Sequence, residues 1–227
     1  MTSRLRVVIV DDDPRVRHDF TELLELEPDI EVIGSAADGE IGVELCARLE
    51  PDVVVMDVRM PRRNGIEATR MLRTQFTTSC RVLVMTTFDL DDYVLGAVRA
   101  GASGFLLKDR AVETLADAVR TVAAGEAIVA PRATARLLAE LVTPSVARPG
   151  VPHPLTDREL AVVQLLARGL SNDDIASAAM ISRATVKTHV SNVLTKLGLT
   201  SRIQIVVWAY EHGWTPSATQ HAPPQRT

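Results

Sequence analysis

The chain has 227 residues, of which 46% are hydrophobic and 24% charged, and its formal net charge is −4. That balance excludes a disordered or fibrous chain and leaves room for one large or two modest globular domains. No apolar run approaches the ~18 residues needed to cross a bilayer, and the opening MTSRLRVVIVDDD turns acidic where a signal peptide stays apolar, so a cytoplasmic protein without a membrane partner is expected.

The first half alternates short β-branched apolar runs with amphipathic stretches. Strands are predicted over Arg6–Val10, Glu31–Ser35, Val53–Asp57, Val82–Thr86 and Gly104–Lys108, and helices over Arg15–Glu25, Gly39–Arg48, Gly65–Thr74, Tyr93–Ala100 and Val112–Ala124. Strands separated by helix-length segments imply parallel βαβ units, and near-continuous apolar strands imply a sheet covered on both faces. The expected product is an α/β domain with a flavodoxin-like, doubly wound, five-stranded parallel sheet over residues 1–125. Cys46 and Cys80 stand alone in apolar patterns and form no CxxC pair, so they are expected as reduced core residues.

Residues 126–154 are expected to link this domain to a second one, through a short helix and then TPSVARPGVPHP, whose prolines bar a continuing helix. Charge changes sign across that segment. Residues 1–147 carry 24 acidic against 17 basic side chains, whereas residues 149–227 carry 5 against 7. An acidic whole can therefore hide a basic part.

Residues 155–214 show helical patterns and no strand pattern. Thr156 and Glu159 form a capping box before LAVVQLLARG, Ser171 to Asp174 make a similar start, and Ser182 can cap a helix from Arg183 to Leu197. Gly169, Gly198 and Gly213 sit where helix ends call for a left-handed residue. Four short helices are expected, followed by a polar, Pro-rich, disordered tail over 215–227.

In an open parallel sheet, functional groups collect at the carboxyl ends of the strands. Those ends carry Asp11-Asp12-Asp13, Asp57, Thr86-Thr87 and Lys108. Clustered carboxylates raise one another's pKa unless a cation removes the penalty, and Mg²⁺ suits a few carboxylate oxygens supplemented by water and phosphate oxygens. A metal and Lys108 would turn an aspartate facing a phosphate donor into a competent nucleophile, while Thr86 donates to the product phosphoryl group. Lysine stands only at 108, 187 and 196 in a chain that otherwise uses arginine, so each lysine is marked.

The stretches VVIVDDDPRVR, PDVVVMDVRMPRRNGIEA and RVLVMTTFDLDDYVLGAVRAGASGFLLKD resemble the receiver domain of two-component response regulators. The resemblance implies Asp57 as phosphoacceptor, Asp11 and Asp12 with the Arg59 carbonyl at the metal, Thr86 and Lys108 at the phosphoryl group, and Phe105 as the switch aromatic. Asp13 receives no necessary metal role. Haloacid-dehalogenase-like phosphatases also join a strand-end Asp, a Thr, a Lys and Mg²⁺. Here, however, Arg15 stands where their motif wants Thr or Val, and no second acidic pair follows Lys108.

On a helical wheel of Arg183–Leu197, Val186, Val190, Val193 and Leu197 share a narrow arc, and Lys187, Thr188, Ser191 and Thr195 occupy the opposite half. The preceding helix and short turn make a helix-turn-helix whose second helix fits the major groove. Lys187, Thr188 and Ser191 are placed for bases, and Arg183 and Thr185 for phosphates; Lys196 falls on the flank, for a phosphate or for solvent. His189 falls at the edge of the apolar arc, for packing.

Residues 155–213 resemble the LuxR-type DNA-binding domain, and the order of the two parts resembles the NarL/FixJ response regulators. This implies a transcription regulator rather than an enzyme, with a sensor histidine kinase and double-stranded DNA as partners. It also implies a homodimer when phosphorylated, through Val206, Val207 and Tyr210. The alternative is a phosphorylation-independent DNA-binding protein whose receiver serves only as an interaction module.

Overall fold

The computed structural model describes residues 4–74, 80–86, 93–108, 111–128 and 153–214, which form two compact units, each described by itself. The expected interdomain segment from 129 to 152, Thr87 and the tail from 215 lie outside the described residues. Among the described residues, no helix is long and apolar enough to cross a membrane.

The first unit alternates β1 (Leu5–Val10), α1 (Pro14–Glu25), β2 (Ile30–Ala36), α2 (Gly39–Leu49), β3 (Val53–Asp57), α3 (Gly65–Thr74), β4 (Arg81–Thr86), α4 (Val94–Ala100), β5 (Gly104–Leu107) and α5 (Ala111–Ala123). All strand pairs are parallel and the order is β2-β1-β3-β4-β5. The run Val7 to Val10 is buried throughout because its side chains alternate between two covered faces. Val7 and Ile9 join Val53, Val55, Leu83 and Met85 in a core that includes Phe20 and Leu24 of α1 and Leu115, Val119 and Val122 of α5. Val8 and Val10 face the other way, where α2 packs so closely that a Cβ at Gly42 would fall 2.7 Å from a Val10 methyl.

Ile128, expected in the linking segment, lies against the sheet. Ile128 bridges in parallel to Gly104, and its carbonyl accepts the Phe105 N–H at 2.7 Å, covering part of the β5 edge. Cys46 and Cys80 are both buried, with no disulfide.

Residues 153–214, which make up most of the second unit, form α6 (Asp157–Ala167), α7 (Asn172–Ala179), α8 (Arg183–Leu197) and α9 (Arg202–Glu211). The caps are the expected ones: Thr156 with Glu159, Ser171 with Asp174, and Ser182 accepting the Thr185 N–H at 3.0 Å. Gly169, Gly198 and Gly213 have positive φ. Helix α7 instead ends on Met180, which has φ +54 and is 91% exposed. Val186, Val190 and Val193 turn inward with Val162, Leu166 and Ile175.

Candidate functional site

Register brings the strand-end residues together. Val10 pairs with Met56, Asp57 with Met85 and Thr86 with Leu107, so Asp11, Asp57 and Lys108 emerge at one edge of the sheet. Lys108 Nζ lies 2.6 Å from Asp11 Oδ2 and 2.9 Å from Asp57 Oδ1. The remaining oxygens are also engaged: Asp11 Oδ1 accepts the Asp13 N–H at 3.0 Å, and Asp57 Oδ2 accepts the Arg59 N–H at 3.1 Å. Both aspartates are buried, while Asp12 is exposed.

Burial pushes the Asp57 carboxyl above its ordinary value, against the lowering pull of the Lys108 ammonium. Burial also opposes the charge on Lys108, but hydrogen bonds to Asp11 and Asp57 outweigh it and hold the ammonium above its usual range. The pair is thus a desolvated carboxylate kept beside a firmly charged cation.

Asp11, Asp12 and Asp57 each offer a carboxylate oxygen, and these atoms lie within 4.8 Å of one another. A set made only of hard oxygen donors, two of them held by a buried frame, fits a small hard divalent cation. Arg59 lies in the loop after β3 and contributes its N–H to Asp57; its carbonyl was the part expected at the metal. Thr86 ends β4 and Phe105 lies in β5, both buried, at 6% and 1% exposure.

Three features of this site escaped the sequence reading. Arg17 Nη1 donates to the Asp11 carbonyl at 2.7 Å and to the Asp12 carbonyl at 3.2 Å, so α1 holds the backbone that carries the acidic pair. Asp13 is the N-cap of α1, accepting the Arg15 N–H at 2.8 Å ahead of Pro14. Asp38 caps α2 and also holds Arg62. The Asp-Pro and Asp-Gly pairs at these helix starts were the available signals.

In the second unit Lys187, Thr188 and Ser191 are exposed on α8, on the side opposite the buried valines. Arg183 Nη1 lies 3.4 Å from Asp173 Oδ2, and the Thr185 hydroxyl is 2.8 Å from Ser182 Oγ, so both are already engaged at the helix start. Lys196 is partly exposed and its Nζ lies 2.7 Å from Oε2 of the buried Glu159, a partner that the helical wheel did not show. Leu197 is half-buried, less enclosed than the three valines of its arc. His189 is also half-buried, and its Nδ1 has no hydrogen-bond partner.

Of the expected dimer residues Val206, Val207 and Tyr210, the structure buries one. Val207 is 7% exposed, so its side chain is spent within the chain, and Tyr210 directs its hydroxyl to the Ala167 carbonyl at 3.5 Å. Val206 and Tyr210 are half-buried.

Residues 7–120 match the response regulator receiver domain family, and residues 153–209 match the bacterial regulatory proteins of the luxR family. The chain is 40% identical over 213 residues to the uncharacterized transcriptional regulatory protein YxjL of Bacillus subtilis, covering 93% of this chain and 97% of that one. It is 36% identical over 205 residues to the nitrate/nitrite response regulator protein NarL of Escherichia coli K12, covering 90% and 94%. Among solved structures, the response regulator ChrA of a heme-sensing two-component system is 36% identical, with a TM-score of 0.50 over 94% of this chain and 100% of that one. With both halves matched and the relatives aligned almost end to end, the chain belongs to the two-component response regulators that join a receiver domain to a luxR-type DNA-binding domain.

Proposed function

We propose that Asp57 accepts a phosphoryl group from the phosphohistidine of a sensor histidine kinase, and that this change governs DNA binding by α8. The observation that carries the reading is the placement of Asp57 Oδ1 2.9 Å from Lys108 Nζ, with Asp11 and Asp12 beside it. In the transfer a carboxylate oxygen of Asp57 attacks phosphorus, the P–N bond breaks, and the histidine leaves as imidazole with an acyl phosphate formed on Asp57. Lys108 neutralises the charge that gathers on the phosphoryl oxygens. A Mg²⁺ held by Asp11, Asp12, Asp57 and the Arg59 carbonyl would supply further neutralisation there.

The Thr86 hydroxyl, at the neighbouring strand end, is the donor for the product phosphoryl group. Phe105 shares the β4–β5 pair with it, and their joint movement would carry the change from the site to the surface of the domain. At the other end, Lys187, Thr188 and Ser191 read base edges, while Arg183, Thr185 and the α8 N-terminus contact phosphates. The modest positive charge beyond residue 148 favours binding as a homodimer, which doubles the phosphate contacts. Val206 and Tyr210 of α9 are the residues proposed for that contact, with Val207 removed.

The test is to incubate the protein with Mg²⁺ and acetyl phosphate and to compare it with Asp57→Asn. The wild type should gain one phosphoryl group on Asp57, dimerise and bind DNA more tightly, and the variant should do none of these. Equal DNA affinity and function in both proteins would favour the phosphorylation-independent regulator instead.

A further inference from the structure

The acidic site is bordered by the loop from Val58 to Asn64, whose base is closed by a hydrogen bond from the Gly65 N–H to the Val58 carbonyl at 2.9 Å. One end of that loop presents the Arg59 N–H to Asp57 Oδ2. Its middle contains Arg62, which has φ +62. Glycine adopts that conformation freely, whereas an arginine there carries backbone strain. Strain kept beside a reactive group calls for something that holds it.

What holds it is α2. The Arg62 guanidinium pairs with Asp38 Oδ2, and the Asp38 side chain is fully buried. The two oxygens of Asp38 divide their work: Oδ1 accepts the Glu40 and Ile41 N–H groups at 2.9 and 3.0 Å, capping α2, while Oδ2 takes the arginine. The same seam has two further stitches, the Gly39 N–H to the Arg63 carbonyl at 3.2 Å and Arg63 Nη2 3.9 Å from Glu40 Oε1. The approach is close enough that a Cβ on Gly39 would fall 2.6 Å from the Arg63 carbonyl oxygen. A charge-assisted pair to a buried, doubly anchored carboxylate is a firm attachment point for an otherwise exposed loop.

We propose that Asp38 and Arg62 form a latch that positions the loop after the phosphoacceptor, keeping the Arg59 N–H on Asp57 and the carboxylate in one orientation. The role in phosphoryl uptake rests on reading Asp57 as the acceptor. Asp38 and Arg62 are positioning residues, acting on the reaction only through the loop. Replacing Arg62 by glycine removes the ion pair and relieves the strain together, so the relief offsets part of the cost of leaving Asp38 Oδ2 without its cation.

The experiment uses the full chain and three variants, Arg62→Gly, Arg62→Lys and Asp38→Asn/Arg62→Gly. Two quantities are measured: hydrogen exchange of residues 58–64 by mass spectrometry, and the rate of phosphoryl uptake at Asp57 from acetyl phosphate with Mg²⁺. Arg62→Gly should remain folded with an unfolding temperature no higher than wild type, exchange about tenfold faster in the loop, and take up phosphoryl about three- to tenfold more slowly. Arg62→Lys, whose ammonium can still reach Asp38, should stay near wild type in both. The double variant should be no slower than Arg62→Gly, because the two residues act as one unit. Unchanged loop exchange in Arg62→Gly overturns the latch, and faster exchange with an unchanged uptake rate overturns its positioning role. A wild type that takes no phosphoryl group at Asp57 overturns the phosphorylation reading, while the exchange measurement still decides whether the latch exists.

Discussion

Lys196 Nζ lies 2.7 Å from Glu159 Oε2, tying the last turn of α8 to the first turn of α6. Glu159 is buried and also accepts the Thr156 N–H at 2.8 Å, so one carboxylate caps α6 and anchors α8, the helix proposed to read DNA. Losing the lysine leaves that carboxylate short of a charged partner. Because Lys196 is about one-third exposed, water replaces part of the loss, and Lys196→Met should destabilise the helical unit by about 1–2 kcal/mol. Urea unfolding followed by tryptophan fluorescence checks this, since Trp208 and Trp214, the chain's two tryptophans, both belong to that unit. DNA affinity should fall with an unchanged salt slope, whereas a phosphate-contacting lysine would lower the slope by about one.

The same pair predicts a pH dependence. The hydrogen bond from Lys196, followed by that from the Thr156 backbone, holds the Glu159 carboxyl below its ordinary value of 4.5. A depressed folded-state pKa means the folded chain favours the ionised form. Its stabilisation is therefore complete above 4.5 and is lost as pH falls through the depressed value. The stability gap between wild type and Lys196→Met should be constant from neutral pH down to about 4.5 and should narrow below it, as urea midpoints across a pH series would record.

Lys108 competes with any cation for Asp11 and Asp57, because its ammonium touches an oxygen of each. Lys108→Gln removes one positive charge from that edge. Mg²⁺ affinity should rise about tenfold, a change of ~1.4 kcal/mol that is modest for a charge at such short range. Phosphoryl uptake at Asp57 should nevertheless fall by about 100-fold, because the group that neutralises the transferring oxygens is gone. Metal titration by calorimetry and labelling kinetics on the same variant separate the two effects, and weaker Mg²⁺ binding would contradict the competition.

The inner strands were legible because β1, β3 and β4 are covered on both faces, so β1 and β3 read as unbroken apolar runs. The convergence of Asp11, Asp57 and Lys108 followed from the rule that parallel strands deliver their carboxyl ends to one edge. Other contacts were beyond such reasoning. Asp38 and Arg62 stand 24 residues apart, and a left-handed arginine gives no signal of the kind a glycine or asparagine would. The partner of Lys196 was out of reach for a related reason: a helical wheel shows the direction of a side chain on its own helix, and not the buried carboxylate that the N-terminus of α6 holds out to it. Val207 failed likewise, since α9 has no clean apolar stripe to separate inward from outward residues.

Gly65 begins α3 against the strand that carries Asp57. A Cβ there would fall 2.0 Å from the Asp57 carbonyl oxygen, a backbone atom that cannot swing aside. Gly65→Ala should therefore push α3 away from β3, costing about 2–4 kcal/mol. It should also slow phosphoryl uptake, because the displaced backbone belongs to the acceptor residue. Urea unfolding followed by far-UV circular dichroism measures the first effect and acetyl phosphate labelling the second. Wild-type stability would show that the helix start can yield.

Arg183 and Lys187 lie one turn apart on α8, and their surroundings predict different losses. Arg183 sits at the helix start beside Asp173, and a helix N-terminus is a place suited to the DNA backbone. Lys187 is exposed in the second turn, the part proposed to meet base edges in the major groove. Lys187→Ala should cost about 1–3 kcal/mol on the preferred site and much less on unrelated DNA, which lowers the specificity ratio. Arg183→Ala should weaken binding to both DNAs alike and reduce the salt slope by about one. Anisotropy titrations at several salt concentrations, with one preferred and one unrelated duplex, distinguish the two patterns. If Lys187→Ala weakened both duplexes equally, the lysine would be a phosphate contact and base reading would fall to Thr188 and Ser191.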